Sequence, residues 1–289
     1  MAEARTAGSQ PSGLLLIDKP GGWTSHDVVA RLRRALGVRK VGHAGTLDPM
    51  ATGLLLIGAG RATRLLRFLG DLAKTYEGEA VLGIETTTLD AEGDVVRESP
   101  VEVDAATLRR TMEAFTGDLD QAPPAYSAVK VGGVKMYEAA RRGETVRAAP
   151  RRVRVDEFSL RRFDTPVFGF VVRCSSGTYV RSLVADVGAS LGCGAHLSAL
   201  RRTAIGPFHV LDAGTPDDPG PMLPLDRAVD HLAAVTLHPE EARVAVHGVC
   251  LGPAGIAGPY RAISPDGRLV GIYHDEGAKA VPDVILAPA

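Results

Sequence analysis

The sequence predicts an α+β fold: a central mixed, largely antiparallel sheet flanked by helices, followed by a small β-rich C-terminal domain. Three observations lead there. Strand-like patterns come in hairpin-like pairs at 77 to 97 and 151 to 174. Helical patterns lie segregated between these pairs, without the regular strand-helix-strand repeat of a doubly wound parallel sheet. Composition then shifts to Pro, Gly and Asp between Asp212 and Pro224, ahead of short apolar runs broken by Gly-Pro, Pro-Asp-Gly and Asp-Glu-Gly turns.

In order along the chain, the first eleven residues, MAEARTAGSQP, lack an apolar core and read as a flexible tail rather than a signal peptide. Gly13 to Asp18 is a short apolar strand ended by the Lys-Pro-Gly-Gly turn cluster at 19 to 22. Thr24 stands as N-cap with Asp27 three residues on. Val28, Val29, Leu32, Ala35 and Leu36 share one helical face and Gly37 stops the helix. A second helix is expected from about Asp104 to Thr116, with Leu108, Met112 and Phe115 as its stripe and Gly117 as its stop. At 77 to 97, Asp-Ala-Glu-Gly (90 to 93) supplies the turn between paired strands. Beyond about Val235 the pattern is that of a small all-β domain.

Composition excludes several classes. With 45% apolar and 23% charged side chains, the 289-residue chain is globular. Its longest apolar stretches fall far short of the roughly 20 residues needed to cross a bilayer. Cys174, Cys193 and Cys250 are odd in number and widely spaced, the pattern of reduced thiols rather than of a disulfide framework. Cys193-Gly-Ala-His196 has metal-ligand spacing but no second pair to complete a tetrahedral site, so no metal is expected. A formal net charge of −1 gives no global attraction to nucleic acid. Locally, Ala125 to Arg154 holds eight basic residues (Lys130, Lys135, Arg141, Arg142, Arg147, Arg151, Arg152, Arg154) against Glu138 and Glu144. That stretch reads either as a solvated face or as a phosphate-binding surface.

Two segments could carry chemistry. Gly42 to Gly53 (GHAGTLDPMATG) frames a carboxylate, Asp48, and an imidazole, His43, with glycines, while Pro49 restricts Asp48 to extended geometry. Taken alone it is a rigid catalytic loop or an ordinary Asp-Pro turn beside a core histidine. Ser175 to Leu183 (SSGTYVRSL) turns at Gly177 into a helix that begins near Tyr179 and Arg181. Arg181 could orient a carboxylate through its planar fork or simply face solvent. A third segment, Gly53 to Thr63, imitates a dinucleotide-binding turn but lacks the third glycine and a surrounding βαβ unit.

Taken together, Lys19-Pro20-Gly-Gly-Trp-Thr-Ser25, the Gly42–Gly53 segment, Lys74-Thr-Tyr76-Glu77, Gln121 to Lys130 with Tyr137 to Arg141, and the SSGTYVRSL segment resemble the TruB-type tRNA pseudouridine synthases in order and spacing. The resemblance runs from about residue 12 to 210. It implies a pseudouridine synthase fold and isomerisation of uridine 55 in the TΨC loop of tRNA, with Asp48 as the essential carboxylate and Arg181 as its partner. It further implies that Tyr76 stacks on the target uracil and assists proton movement, that Tyr179 and Leu200 line the pocket, and that His43 packs into the tRNA loop. Lys19 and Pro20 would support the floor. Residues 124 to 152 would be a flexible insertion closing over the RNA arm, with Lys130 and Arg141 among its contacts. The catalytic domain would span 12–230, and 235–289 resembles a PUA domain. The family's usual Thr after the histidine is Ala44 here.

Moving a glycosidic bond from N1 to C5 requires no redox agent, metal or group donor, so no cofactor is expected. Whether the carboxylate attacks the sugar carbon or removes a sugar proton stays open. The expected partner is tRNA, met by a cytoplasmic monomer with no membrane attachment. The rival reading is a tRNA-binding folding helper whose catalysis is secondary or lost.

Overall fold

Leu14–Ile17 and Leu54–Ile57 lack the polar alternation of half-exposed strands, and burial on both faces is the reason. In the computed structural model, which describes residues 11–127, 129–144, 146 and 148–286 and no side chain for Lys135, Tyr137 or Arg141, these runs lie in β1 (Gly13–Lys19) and β3 (Thr52–Ala59). The two strands pair antiparallel along their whole length. Leu15, Ile17, Leu55 and Ile57 face Val28, Val29 and Leu32 of α1 (Ser25–Leu36). The alternate residues Leu14, Leu16, Leu54 and Leu56 face the opposite way, into a core shared with Leu65, Leu69 and, from the C-terminal domain, Ile272, Val284 and Leu286. The expected tail, residues 1 to 11, and Arg147 fall outside the described residues, save Pro11.

Helix α1 begins and ends where local chemistry dictates. Thr24 and Asp27 form a reciprocal capping box, and Gly37 closes the helix in the left-handed conformation. The second expected helix is α3 (Ala105–Ala114), capped by Asp104, which accepts from the Thr107 amide.

Among the described residues the main sheet has nine strands. β2 (Val41–Ala44) covers one end of the free edge of β3, and the other end pairs in parallel with β12 (Ala195–Ile205) at Arg201 and Arg202. From β12 the sheet continues through β4 (Lys74–Leu82), β11 (Val167–Cys174), β10 (Arg151–Asp164) and β7 (Gly117–Gln121), all antiparallel, with β13 (Phe208–His209) beside β12. The 151–174 pair is the β10–β11 hairpin. The 77–97 region divides instead. β4 enters the centre of the sheet, and only β5 (Ile84–Thr86) and β6 (Val95–Glu98) form a hairpin around Asp90–Gly93. Gly83, at φ 84°, turns the chain between β4 and β5. Helices α3 and α5 (Val180–Ser190) cover β4, β11 and β12, making a core of Phe158, Phe168, Phe170, Val184 and their neighbours.

The dinucleotide-like segment has a different explanation. β3 runs antiparallel to β1 and β2 and passes into a single 3-10 turn over Gly60–Arg64, followed by the short α2 (Leu66–Gly70). A side chain at Gly60 would strike Ser12 and Pro11, so that glycine admits a neighbouring strand rather than a phosphate.

The basic stretch holds the small β8 (Lys130–Val131) and β9 (Val134–Lys135) hairpin and α4 (Met136–Arg141). The C-terminal domain is a four-stranded sheet of β14 (Ala234–Thr236), β15 (Tyr260–Ile263), β16 (Leu269–Glu276) and β17 (Lys279–Ile285). It also contains a helix that an all-β reading lacks, α6 (Pro239–Ala245), started by Pro239 at N1 and by Glu241, whose carboxylate accepts from the His238 amide at 2.9 Å. Arg61 and Arg64 donate to the carbonyls of Leu286 and Ile285, each at 2.6 Å, and Arg67 pairs with Asp283 at 3.1 Å, tying the two domains together. No helix among the described residues is long and apolar enough to cross a membrane.

Candidate active site

The segment from Gly45 to Ala51 links β2 to β3 and lies over the floor formed by β1, β4 and β12. Leu47 and Ala51 are buried in the main core on either side of Asp48, which pins the loop at both ends. Ser25, at the start of α1, exchanges hydrogen bonds with Leu47: its Oγ accepts from the Leu47 amide at 2.9 Å and donates to the Leu47 carbonyl at 3.3 Å. The Asp48 carbonyl accepts from the Ala51 amide at 3.1 Å, and the Pro49 carbonyl accepts from the Gly22 amide at 2.9 Å. The Asp48 side chain is thereby presented 43% exposed from a loop whose backbone is held.

Arg181, one residue into α5, supplies the partner. Its Nε lies 3.0 Å from Asp48 Oδ2, and its Nη1 lies 3.2 Å from Oδ2 of a second carboxylate, Asp90, which is 4% exposed. The remaining N–H groups donate to the carbonyls of Thr88 (2.9 Å) and Tyr126 (3.0 Å). Two carboxylates and two carbonyls therefore hold the guanidinium through all three of its nitrogens, which fixes the fork in one orientation. Asp90 accepts from the Thr88 hydroxyl and from the Glu92 amide. Leu89 takes a positive φ of 63° to close this turn.

Beneath the loop, Lys19 is fully buried and donates to the carbonyls of Pro20 (2.9 Å), Trp23 (2.6 Å) and Pro49 (3.2 Å). Burial lowers its ammonium from the usual lysine value, with the Asp48 charge opposing. Tyr76 is buried on β4; desolvation raises its phenol, and the positive charge of Arg202, its ladder partner on β12, opposes that rise. Lys74, two residues earlier on the same strand, is pushed down to about 8 by burial, with Arg202 adding to the effect. Its Nζ donates to the Gly70 carbonyl.

Tyr179 caps the start of α5 and is held from two directions. Gln121 receives the Tyr179 amide at 2.7 Å and donates to its carbonyl at 3.0 Å. Arg151 lies over the ring, 5.1 Å from its centroid, and donates to the phenol oxygen at 3.2 Å. The site thus offers one accessible, oriented carboxylate beside buried aromatic and cationic groups, a set able to act as nucleophile or general base.

A model of the TruB family pseudouridylate synthase N-terminal domain matches residues 33–180. Models of the tRNA pseudouridylate synthase B C-terminal domain and of the tRNA pseudouridine synthase II C terminus match 181–218 and 232–287. The tRNA pseudouridine synthase B of Thermobifida fusca (strain YX) is 48% identical over 288 residues, covering 95% of this chain and 98% of its own. That of Nocardia farcinica (strain IFM 10152) is 46% identical over 289 residues, covering 96% and 94%. The chain belongs to the TruB family of pseudouridylate synthases. Among solved structures, the archaeal box H/ACA sRNP Nop10–Cbf5 complex contains a chain that superposes with a TM-score of 0.72 at 26% identity, covering 95% of this chain and 85% of that one.

Within this TruB-family chain, Asp48, Arg181, Tyr76 and Lys19 gather around one site, with Tyr179 reaching it at the start of α5. Pro20 is exposed and enters through its carbonyl. Leu200 is half-buried on β12, packed against the main core. His43 is on β2, edge-on to His26 with ring centroids 5.6 Å apart; its buried Nδ1 has no hydrogen-bond partner among the described residues, and burial lowers its imidazole. Lys130 is exposed on the β8–β9 hairpin, and the Arg141 side chain lies outside the described set. The basic stretch is partly neutralised: Arg142 pairs with Glu144, while Arg152 and Arg154 pair with Asp118.

Among the described residues, Cys193 and His196 are not part of any group of three or more His, Cys, Asp or Glu side chains that could hold a metal ion. Cys193 lies by the Gly194 carbonyl and His196 by the Ile84 carbonyl. The groups missed in the sequence are Asp90, Gln121, Arg151 and Arg202. Asp90 was masked by its turn signature, Gln121 stood in a matched motif without a role, and Arg151 and Arg202 each sit in a pair of adjacent arginines in which sequence alone does not say which one faces inward.

Proposed function

We propose that the chain converts uridine 55 in the TΨC loop of tRNA to pseudouridine, with Asp48 as the catalytic carboxylate. The observation that carries this reading is the half-exposed Asp48 side chain held at 3.0 Å by a buried Arg181, in a chain nearly half identical to curated tRNA pseudouridine synthases B. The reaction breaks the N1–C1′ bond, forms a C5–C1′ bond, removes the C5 proton and returns a proton to N1. Atoms balance with no co-reactant. Asp48 acts either by bonding to C1′ or by taking the C2′ proton. Tyr76, Tyr179 and Leu200 receive the flipped base, whose extraction from the loop stack costs a few kcal/mol. His43 packs into the RNA loop, Lys19 and Pro20 hold the floor, and Lys130 and Arg141 contact the RNA arm from the insertion at 124–152.

In this reading the catalytic domain spans 12–230 and the PUA-like domain 235–289. The enzyme works as a cytoplasmic monomer with tRNA as its only partner. The test is incubation of the pure protein with an unmodified tRNA transcript, without added metal or cofactor, followed by site-resolved pseudouridine mapping. Conversion confined to the TΨC-loop uridine, and lost in Asp48→Asn, is the expected result. Binding without conversion would replace this reading with that of a tRNA-folding helper.

A further inference from the structure

Tyr179 begins α5 without a side-chain cap of its own, which leaves its amide among the helix N–H groups that need a partner from elsewhere. Gln121 on β7 is that partner. Its side chain accepts from the Tyr179 amide at 2.7 Å and donates to the Tyr179 carbonyl at 3.0 Å. Gln121 is also the direct ladder partner of Arg151 on β10. The two residues form one rung of the sheet at the base of the 124–152 stretch, and both reach the same tyrosine.

Arg151 holds the side chain of that tyrosine. Its guanidinium carbon lies 5.1 Å from the ring centroid, and its Nη2 donates to the phenol oxygen at 3.2 Å. To arrive there it crosses the turn before α5 at Gly177, where an added Cβ would lie 3.4 Å from Arg151 Nη1 and 3.7 Å from its Cδ. Strand alternation puts Arg151 on the face of β10 that carries the buried Val153 and Val155, while Arg152 and Arg154, on the other face, turn to Asp118. A guanidinium only donates, so the phenol oxygen accepts from it and the phenol's own O–H is directed away from Arg151. Two contacts of different kinds, one on the ring and one on the oxygen, thus fix both the ring and the direction of its hydroxyl.

We propose that Arg151 is a positioning residue that fixes the ring and hydroxyl of Tyr179 for the flipped nucleotide, with Gln121 fixing the backbone beneath. The inference rests on the pseudouridine synthase reading for its kinetic consequence, but not for the contact itself. It separates Arg151 from the phosphate-binding use open to the rest of the basic stretch. A phosphate is served as well by a point charge, whereas a ring needs the planar fork laid on it.

The test compares Arg151→Met, Arg151→Lys, Tyr179→Leu and the double variant Arg151→Met/Tyr179→Leu. Single-turnover rates on saturating unmodified tRNA transcript separate the bound-state steps from affinity. Arg151→Met and Arg151→Lys should each lose at least about fivefold in rate, with tRNA affinity within about twofold and its salt dependence unchanged. The loss from Arg151→Met should shrink to less than about twofold in the Tyr179→Leu background. A lysine variant as fast as wild type, or the same fold-loss in both backgrounds, would overturn the proposal. So would a weakened affinity whose log–log salt slope is shallower by about 1, which would assign Arg151 to a phosphate. Urea unfolding midpoints of the RNA-free proteins test the contact alone: the downward shifts of the two single variants should sum to more than that of the double variant. Equal sums would overturn the proposal whatever the protein's activity. A wild-type protein that converts no tRNA would instead sink the pseudouridine reading and leave the unfolding cycle to decide the contact.

Discussion

Replacing Arg181 with methionine should damage the protein twice, through different carboxylates, and the two effects can be separated. The guanidinium bridges Asp48, 43% exposed, and Asp90, 4% exposed. Losing the half-exposed pair costs under about 1 kcal/mol, because solvent screens Asp48 once Arg181 is gone. Losing the buried pair strands a charge at Asp90, and breaking such a pair by removing one partner costs about 3–5 kcal/mol. The expected loss for Arg181→Met is therefore about 3 kcal/mol or more, nearly all of it from Asp90. Adding Asp90→Asn removes the stranded charge and should recover at least about half of that stability, while the carbonyls of Thr88 and Tyr126 still lack their donor. Activity should not return, since Asp48 remains unanchored. Urea denaturation followed by far-UV circular dichroism measures the first effect, and pseudouridine formation on a tRNA transcript measures the second. A single variant within about 1 kcal/mol of wild type, or a double variant less stable than Arg181→Met, would refute the assignment of the energy to Asp90.

Three further outcomes are expected. Asp48→Asn should abolish turnover while keeping tRNA affinity within a few-fold and stability within about 1 kcal/mol, since its ion pair is half exposed and Arg181 keeps Asp90; filter binding and denaturation check this. For Lys74, burial brings the ammonium from 10.5 to about 8. Between those values the unfolded chain holds a proton that the folded one has released, so stability rises with pH across the window. The gain is about 2 kcal/mol after solvent screening, and Lys74→Met should abolish that slope in denaturation curves taken from pH 7.5 to 10.5. Gly53→Ala should cost more than about 2 kcal/mol, because φ is 100° and the new methyl would meet the Arg202 carbonyl oxygen at 2.3 Å; a thermal melt with an unchanged midpoint would contradict this.

What could be read from the sequence follows from how local each signal is. The capping box at Thr24 and the left-handed stop at Gly37 involve neighbours in the chain, and both stand where expected. The pairing of Arg181 with Asp48 joins β-loop to helix across most of the catalytic domain. No spacing rule reaches that far, and only the ordered set of motifs suggested it. Asp90 was hidden because Asp-Ala-Glu-Gly is a good hairpin turn and is one in fact; its second use, as a buried counter-ion, depends on where α5 lands. The adjacent Arg201 and Arg202 show the limit most clearly. Strand alternation requires one inward and one outward residue, yet it does not say which is which. Arg201 points out to a bidentate pair with Asp18, and Arg202 points in among carbonyls. The division of 77–97 between β4 and the β5–β6 hairpin was similarly invisible, since β4 is held by strands far away in sequence.

The charges of the floor bear on the chemistry. Lys19, Lys74, Arg181 and Arg202 are all buried around a loop whose own carboxylate is Asp48, with Asp90 as the second acid. Three of these four cations are hydrogen-bonded by backbone carbonyls rather than paired with acids. Had carboxylates done that work, they would have competed with Asp48 for Arg181; carbonyl dipoles leave the Arg181–Asp48 pair intact and the field on the floor positive. A positive field opposes cationic charge on a sugar carbon and favours negative charge on a departing base. In the proposed reaction the base therefore leaves with the electron pair, and the sugar cannot persist as a free cation there. Both roles open to Asp48 meet that requirement, one by forming a bond at C1′ and the other by removing a C2′ proton. In the proposed reaction the cationic floor thus calls for one carboxylate at the sugar side of the site, with Arg181 fixing its direction.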